Sequence, residues 1–283
     1  ALEAAISGVI GELRQRHPVQ AAGVAVAGFV TPDRRTVRFA PHLPWRDVRV
    51  ADVLTERCGL PVVIEHDANA AALAERRFGA ASGSGASSGV TLFLAIGTGI
   101  GAGLIVDGQL YRGAHGVAPE LGHLRLVPDG RACPCGKRGC WERYCSGTGL
   151  VTTLVELLAA DPSGSSTLAR LASHEARGIT GRHVSQAARD GDPVAIAAMG
   201  ELARWLGDGL ALIADVYDPE LVVVGGGVSG SAPLFLDDAR EHYAHALTGA
   251  KHRPLARIRS AQLGDQAGVI GAAELARQHL MNR

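Results

Sequence analysis

The segment from Glu120 to Glu142 constrains the fold of this chain most, because it concentrates metal-binding side chains within a Gly-rich stretch. Its candidate ligands are His123, Cys133, Cys135 and Cys140, which fall within eighteen positions. Three thiols and one imidazole make a complete tetrahedral ligand set for Zn²⁺, which favours sulfur and imidazole nitrogen. Three ordinary thiols in a loop are the alternative interpretation. The histidine and the tight turns offered by Gly136 and Gly139 favour the metal site.

The order of residues around this segment resembles a known family signature. GAHGVAPELGH followed by C-x-C-G-x-x-G-C-W-E is similar to the ROK family, which contains bacterial glucokinases, other hexose and N-acetylhexosamine kinases, and sugar-responsive transcriptional repressors. The resemblance implies that Glu120, His123 and Glu142 contact sugar hydroxyls and that His123 also ligates zinc. One imidazole can offer one nitrogen to a metal and the other to a ligand. The zinc would then be structural and would hold these three side chains in place.

Composition indicates a globular chain whose surface carries no large excess of positive or negative charge. The 283 residues are 47% hydrophobic, and 28 basic residues balance 28 acidic ones, which indicates neither a nucleic-acid partner nor a membrane surface. The opening ALEAAISGVIGEL is too short and amphipathic to span a bilayer and predicts an ordinary helix. Of five cysteines, three are assigned to metal, so we expect Cys58 and Cys145 to be buried thiols in a reducing cytoplasm.

The first apolar run predicts a buried strand that ends at a candidate binding residue. AAGVAVAGFV is typical of a strand covered on both faces of a largely parallel sheet. Gly28 falls near its carboxyl end, where a glycine allows a ligand to approach the backbone closely. A glycine needed only for chain direction is the alternative. The ROK resemblance implies that Gly28 contacts the sugar.

Asp67 has two interpretations that compete directly. PVVIEHD predicts a second buried strand that delivers Asp67 to the carboxyl edge of the sheet, and DANAAALAERRFG predicts the helix that follows. As a helix N-cap, with Asn69 as another candidate, Asp67 would contribute about 1 kcal/mol. As a general base, it would take the proton from a substrate hydroxyl. Local sequence favours the cap, whereas resemblance to the E-N-D-A-N-A-A-A segment of ROK kinases implies the base.

Two positions depart from the family pattern. His66 stands where the family usually has Asn before the catalytic Asp, and Pro41-His42 stands where many members have Pro-Asn. Both changes replace an amide by an imidazole at positions expected to face the sugar, and an imidazole lacks the simultaneous donor and acceptor of an amide. The resemblance therefore identifies the family but does not identify which sugar is the substrate.

Two glycine segments are candidates for nucleotide binding. The turn containing Gly97, Thr98, Gly99 and Gly101 offers backbone N–H groups that suit phosphate oxygens, although glycines also build bulges. LVVVGGGVS predicts a buried strand that ends at Gly225, Gly226 and Gly227, and a strand-to-helix turn explains only one of these glycines well. Both segments resemble those of actin-like and hexokinase-like ATPases, which implies ATP and Mg²⁺ as cofactors.

The resemblance implies a duplicated α/β, ribonuclease H-like fold with two lobes around a cleft. AASGSGASSG (80–89) is small and polar, so we place a boundary there: residues 1–86 form the first lobe and residues 87–266 the second. The terminal helix, 267–283, is expected to return to the first lobe. LVTTLVELLAA, STLARLASH and HVSQAARDG predict helices, and Asp192 with Pro193 predicts the capped start of another.

The superfamily normally opens with D-x-G-G-T, whose Asp helps to position Mg²⁺, and this sequence lacks that motif. We expect a truncated copy whose first lobe lacks the phosphate-loop hairpin. The resemblance implies an ATP-dependent kinase that phosphorylates the 6-hydroxyl of glucose or a related hexose, assembled as a homodimer or homotetramer. The alternative is a ROK regulator that senses sugar without turnover, which an upstream helix-turn-helix would distinguish.

Overall fold

The computed structural model describes residues 1–83, 89–160, 166–169 and 178–281. The helices in these residues are α1 (Leu2–Arg16), α2 (Val50–Cys58), α3 (Asp67–Phe78), α4 (Gly147–Ala160), α5 (Gly181–Arg189), α6 (Pro193–Tyr217), α7 (Leu236–Ala246) and α8 (Ala267–Met281). The strands are β1 (Ala22–Val26), β2 (Phe29–Val30), β3 (Val37–Phe39), β4 (Arg46–Val48), β5 (Val62–His66), β6 (Val90–Ile96), β7 (Ile100–Val106), β8 (Gln109–Tyr111), β9 (Leu221–Gly225) and β10 (Arg257–Ser260). None of these helices has the length and apolarity needed to cross a membrane.

The chain divides into two compact units. The first comprises Ala1–Phe93, Ala102–Pro119 and Asp265–Arg283, and the second comprises Leu94–Gly101 and Glu120–Gly264. This division differs from the predicted boundary between residues 86 and 87, since β8 and most of β7 group with the first unit. The physical reason is local packing: Arg112, just after β8, forms an ion pair with Glu65 of β5, and Gly103 lies close to Ala68 of α3.

The first unit contains a parallel pair of strands that positions the start of α3. β1 pairs with β5 so that Ala22 lies opposite Val62 and Val26 opposite His66. The prediction that the first strand is buried on both faces is wrong for most of β1, because only Val26 is buried and the other residues are half-buried. α8 packs on β1 and α3. Glycines allow this close packing, because any side chain at Gly23 would overlap the α8 backbone.

A small antiparallel sheet adjoins this pair within the same unit. Its strand order is β2-β3-β4, and β2 forms a hairpin with β3 in which Phe29 lies opposite Phe39. Arg34 has a positive φ of 58° in the connecting turn. One hydrophobic core joins this sheet to α1, α2 and β5, and its buried members include Ile10, Val30, Val37, Trp45, Leu54 and Ile64.

The second unit is built from parallel strands and a helical layer. β9 pairs with β10 in parallel, with Leu221 opposite Arg257. α6 packs against α7, α4 and α5. The predicted cap of α6 is confirmed, because the Asp192 carboxylate accepts hydrogen bonds from the backbone N–H groups of Val194 (3.0 Å) and Ala195 (2.9 Å). Most of the predicted helix STLARLASH, and residues 84–88 of the predicted linker, lie outside the described residues.

Candidate functional site

Asp67 lies where β5 passes into α3, and its side chain is half exposed (52%). Asp67 is already the first helical residue, so the predicted N-cap role is wrong, and the N-cap residue is His66, which makes no side-chain capping bond. Asp67 Oδ1 instead accepts a hydrogen bond from the next backbone N–H, that of Ala68 (2.7 Å). Asn69, the other candidate cap, is buried beneath this point. The carboxylate thus stands at a strand end, as the general-base interpretation requires.

Glu65 anchors this strand end, and sequence reasoning missed it. Its carboxylate is fully buried and forms ion pairs with Arg34 Nε (2.7 Å) and Arg112 Nε (2.9 Å). It also accepts hydrogen bonds from the backbone N–H of His66 (2.9 Å) and from Asn69 Nδ2 (3.1 Å). Burial lowers the pKa of the Arg112 guanidinium, and the Glu65 carboxylate opposes that shift. A charged residue inside an otherwise apolar strand was the available sequence signal.

Gly28 lies between β1 and β2 at a close approach of two chain segments. A Cβ atom at this position would lie 2.6 Å from the Phe39 carbonyl oxygen and 2.9 Å from the Ala40 Cβ. Because real Cβ atoms avoid such distances, the local packing alone requires glycine here. The proposed sugar contact of Gly28 therefore stays a prediction.

The four predicted metal ligands come together in the second unit. The candidate ligand atoms of His123, Cys133, Cys135 and Cys140 lie within 4.8 Å of one another. The Cys135 and Cys140 sulfurs are 3.6 Å apart, and Cys133 Sγ is 3.7 Å from His123 Nδ1. A zinc ion with Zn–S bonds of about 2.3 Å places tetrahedral sulfurs about 3.8 Å apart, so the donor set fits this ion in type, number and spacing.

Tight turns bring these ligands together without regular secondary structure. The Cys133 N–H donates to the Lys137 carbonyl (2.9 Å), and the Gly136 N–H donates to the Cys133 carbonyl (3.0 Å). Gly136 and Gly139 have positive φ values of 89° and 74°, which confirms the turns predicted from these glycines. Burial raises the pKa values of the Cys133 and Cys140 thiols, so a nearby cation is needed to favour their thiolates.

Trp141 anchors this loop to the helical layer, a role that sequence reasoning missed. Its indole is fully buried, and its Nε1–H donates to the Trp205 carbonyl of α6 (2.7 Å). The ring lies directly against Gly209, where an added Cβ would come 2.5 Å from Nε1. A large aromatic residue next to a cysteine ligand was the signal for this anchor.

The three residues predicted to contact sugar lie together, with two carboxylates beside the imidazole of His123. His123 Nδ1 lies 3.5 Å from Glu142 Oε1, and His123 Nε2 lies 3.9 Å from Glu120 Oε2. All three side chains are partly exposed. Since Nδ1 faces the cysteines while Nε2 faces Glu120, the geometry is compatible with one nitrogen on a metal and the other directed towards a ligand.

The two predicted nucleotide segments lie side by side in the second unit. The Val228 N–H donates to the Ile96 carbonyl (2.9 Å), which places the turn after β9 against the end of β6. Gly226 requires glycine because its φ is +81° and an added Cβ would lie 2.6 Å from the Ile96 carbonyl oxygen. Gly227 is exposed and meets nothing within 4 Å. Gly227 therefore has no packing reason to be glycine.

The turn between β6 and β7 uses some of its own donors. The Gly97 N–H bonds to the Gly99 carbonyl (2.9 Å), and the Ile100 N–H bonds to Glu142 Oε2 (3.4 Å). Thr98 accepts a hydrogen bond at its carbonyl from the Thr148 hydroxyl. Glu142 thus connects the cysteine loop to this turn. Two backbone N–H groups of this turn are therefore already engaged, and the phosphate contact stays a prediction.

The fold and these sites define a class: an α/β protein of the actin-like and hexokinase-like ATPase architecture. A ROK family glucokinase from Streptomyces griseus, solved in complex with glucose and AMPPNP, matches with a TM-score of 0.85 and 45% identity over 98% of this chain and 87% of that chain. ROK hexokinase from Thermus thermophilus matches with a TM-score of 0.78 and 31% identity over 99% and 87%.

The sequence comparisons identify the family. The ROK family model matches residues 1–279. A glucokinase from Streptomyces coelicolor is 45% identical over 97% of this chain and 85% of that protein. A putative xylose repressor from Caldicellulosiruptor is 34% identical over 89% of this chain but only 61% of the repressor. The chain belongs to the ROK family.

Proposed function

We propose that this protein is an ATP-dependent sugar kinase that phosphorylates the 6-hydroxyl of glucose or a related hexose. The observation that carries the proposal is the 45% identity to a glucokinase over 97% of the chain, which includes a partly exposed carboxylate, Asp67, at a parallel strand end. Similarity to the Streptomyces griseus glucokinase, solved with glucose and AMPPNP, supports glucose and ATP as ligands.

In this proposal Asp67 is the general base. Its carboxylate accepts the proton of the sugar hydroxyl while the hydroxyl oxygen forms a bond to the γ-phosphorus. The bond between that phosphorus and the bridging oxygen breaks, and ADP leaves with the bond electrons. Glu65 supports the reaction indirectly, because its buried ion pairs with Arg34 and Arg112 fix the strand end that carries Asp67. Alignment and charge stabilisation account for most of such a rate enhancement.

Sugar recognition is proposed for two groups of residues. Glu120, His123 and Glu142 in the second unit, and Gly28 with His66 in the first, are the candidates for contacts with sugar hydroxyls. The partly exposed side chains of Glu120 and Glu142 supply carboxylate acceptors, and a proton on His123 Nε2 supplies a donor, which together are what a hydroxyl requires. Zn²⁺ on His123, Cys133, Cys135 and Cys140 would supply structural crosslinking, with no open coordination position for chemistry.

Nucleotide binding is proposed for the adjacent glycine segments of the second unit. The backbone around Gly97, Thr98, Gly99 and Gly101 would contact phosphate oxygens, and Gly225, Gly226 and Gly227 would lie against the adenosine. Mg²⁺ would neutralise the triphosphate. The exposed Gly227, which no packing contact requires to be glycine, supports close approach of a ligand at this turn.

A sugar-sensing regulator is the second candidate function. The 34% identity to a putative xylose repressor and the replacement of the usual Asn by His66 favour it. The coverage differs, however, because the chain spans 85% of the glucokinase and 61% of the repressor. A carboxylate at a strand end, Asp67, favours the kinase, because a protein that only binds sugar does not need a general base.

The test is sugar-dependent release of ADP from Mg-ATP with a panel of hexoses. We expect turnover with glucose or one close hexose, and a loss of about a thousandfold in kcat for Asp67→Asn. Asp237→Asn, which alters an exposed carboxylate (88% exposed) on α7, is the matched control and should retain activity. Sugar-induced thermal stabilisation without turnover would instead identify a sensor, and turnover that survives Asp67→Asn would remove Asp67 as the base.

A further inference from the structure

We propose that a cavity in the first unit binds a small organic phosphate, with the phosphate group held by arginines and the rest of the molecule on an aliphatic surface. The cavity has a volume of about 600 Å³, which is within the range of small-molecule sites. All of its lining residues belong to the first unit, and they do not include Asp67. The inference therefore goes beyond the proposed function and does not depend on it.

Buried aliphatic side chains form one part of the lining. They come from β5, α3 and α8, and they are Val62, Val63, Leu73 and Leu275. Three of them, Val63, Leu73 and Leu275, belong to a single apolar cluster of the first unit. Aliphatic side chains offer no hydrogen bonds, so this part of the lining favours the apolar part of a ligand.

Four arginines form the charged part of the lining. Arg34 and Arg35 lie in the turn between β2 and β3, Arg77 lies near the end of α3, and Arg277 lies on α8. Their side chains are between 32% and 50% exposed, so their guanidinium groups remain accessible to a ligand. A guanidinium group binds phosphate oxygens through two parallel N–H donors.

These arginines outnumber the carboxylates that neutralise them. Each carboxylate is shared by two arginines: Glu65 by Arg34 and Arg112, Asp52 by Arg35 and Arg49, and Glu274 by Arg77 and Arg277. Six guanidinium groups are thus paired with three carboxylates. Among the described lining residues, Asp33 is the one further acidic side chain. The surroundings of the cavity therefore carry an excess of positive charge, which favours an anion.

The two parts of the lining together define the class of ligand. An inorganic anion would leave the aliphatic surface in contact with water, and a neutral apolar molecule would leave the excess positive charge uncompensated. A phosphate monoester carries a charge of about −2 at neutral pH and presents three acceptor oxygens, so it can bond to more than one guanidinium group at once. An organic phosphate satisfies both parts of the lining.

The experiment is calorimetric titration of the full chain with phenyl phosphate, in saturating glucose and Mg-AMPPNP. These two ligands occupy the sites proposed for sugar and nucleotide, so the probe is kept from them. Inorganic phosphate and phenol are the comparison probes, because each carries only one half of phenyl phosphate. We expect one equivalent of phenyl phosphate to bind at least about tenfold more tightly than inorganic phosphate, since the ring buries apolar surface. Phenol should bind more weakly still.

Two variants test the charged part of the lining. Arg35→Gln and Arg77→Gln should each weaken phenyl phosphate binding about tenfold, because each loses a hydrogen bond to a charged group. Both proteins should fold, since Arg49 remains paired with Asp52 and Arg277 remains paired with the other shared carboxylate. Thermal unfolding checks this.

Arg49→Gln is the matched control for Arg35→Gln. Arg49 pairs with the same carboxylate, that of Asp52, and is 65% exposed, but it does not line the cavity. The substitution removes the same charge from the same unit, and it should change the affinity for phenyl phosphate by about twofold or less.

Three results overturn the inference. The first is that phenyl phosphate does not bind, and the second is that Arg49→Gln weakens binding as much as Arg35→Gln, which assigns the attraction to general charge. The third is equal affinity for phenyl phosphate and inorganic phosphate, which means that the aliphatic surface takes no part. None of these results affects the proposed function, because sugar-dependent release of ADP is measured separately. Conversely, a protein without kinase activity would still bind phenyl phosphate in this cavity.

Discussion

The strand end that carries Asp67 and the loop that carries His123 hold candidate functional side chains by different means. Asp67 begins α3 directly after β5, so backbone hydrogen bonds of a strand and a helix fix its position. The loop of residues 120–142 has only short 3₁₀ turns and isolated bridges, and its four candidate metal ligands form its central cluster.

The difference between the strand end and the loop of residues 120–142 indicates where a metal crosslink is needed. Regular secondary structure satisfies its own backbone groups and packs an apolar face, so it can position a carboxylate without a crosslink. A loop with many turns cannot bury enough apolar surface to offset its conformational entropy. In the proposed metal site, a structural zinc ion, with an apparent binding free energy of about 10 kcal/mol, would offset that entropy. The strand end instead depends on the buried ion pairs of Glu65.

The largest expected effect comes from removing a metal ligand. Cys135→Ser should lose one equivalent of zinc and weaken sugar binding by about tenfold to a hundredfold, because the loop loses its crosslink. Metal analysis and calorimetric titration with glucose measure both effects. Cys58→Ala, at a buried thiol of α2 in the first unit, should keep metal and affinity. A Cys135→Ser protein that retains metal and affinity contradicts the structural role.

Breaking the buried ion pair should destabilise the strand end without affecting the metal. Glu65→Gln leaves Arg34 and Arg112 without their buried counter-charge, so the free energy of unfolding should fall by about 3 kcal/mol. Denaturant unfolding measures this free energy. Asp237→Asn, at an exposed ion pair, is the control and should change the free energy of unfolding by about 0.5 kcal/mol or less. Zinc loss in Glu65→Gln would mean that the two regions are not independent.

The anchor of the loop on α6 can be tested by overpacking. Gly209→Ala places a methyl group against the buried Trp141 indole and should destabilise the protein by about 2 kcal/mol. Gly200→Ala is the matched control, because Gly200 lies on the same helix and an added Cβ meets nothing within 4 Å. That variant should gain about 0.5 kcal/mol from helix propensity. Equal thermal stability of both variants would exclude Trp141 as the anchor.

The smallest effect concerns pH-dependent stability of the first unit. Hydrogen bonds from Arg277, together with the charge of Arg77, lower the pKa of the buried Glu274 carboxyl on α8. Its stabilising contribution is therefore present above the ordinary carboxyl range and is lost as the pH falls through its lowered pKa. Glu274→Gln should lose about 1 kcal/mol at neutral pH, and the difference should shrink on acidification. A constant difference across pH would contradict this assignment.

Local patterns predicted much of the secondary structure. The strand before Asp67 and the Asp192 cap of α6 both match the structure, because each depends on neighbouring residues. The N-cap alternative for Asp67, which local sequence favoured, is wrong, since α3 begins at Asp67 itself, one residue earlier than capping requires. The first residue of a helix depends on where the preceding strand ends, and sequence periodicity does not locate that residue to within one position.

The amino-acid sequence by itself determined the four candidate metal ligands, the glycine turns and the family, because these depend on residue type and spacing along the chain. Only the tertiary structure revealed the Glu65 ion pairs, the Trp141 anchor and the contact of His66 with Asp67. The first two join residues more than thirty positions apart in the chain. The third joins neighbours, but backbone geometry at the junction of β5 and α3 decides whether adjacent side chains diverge or meet.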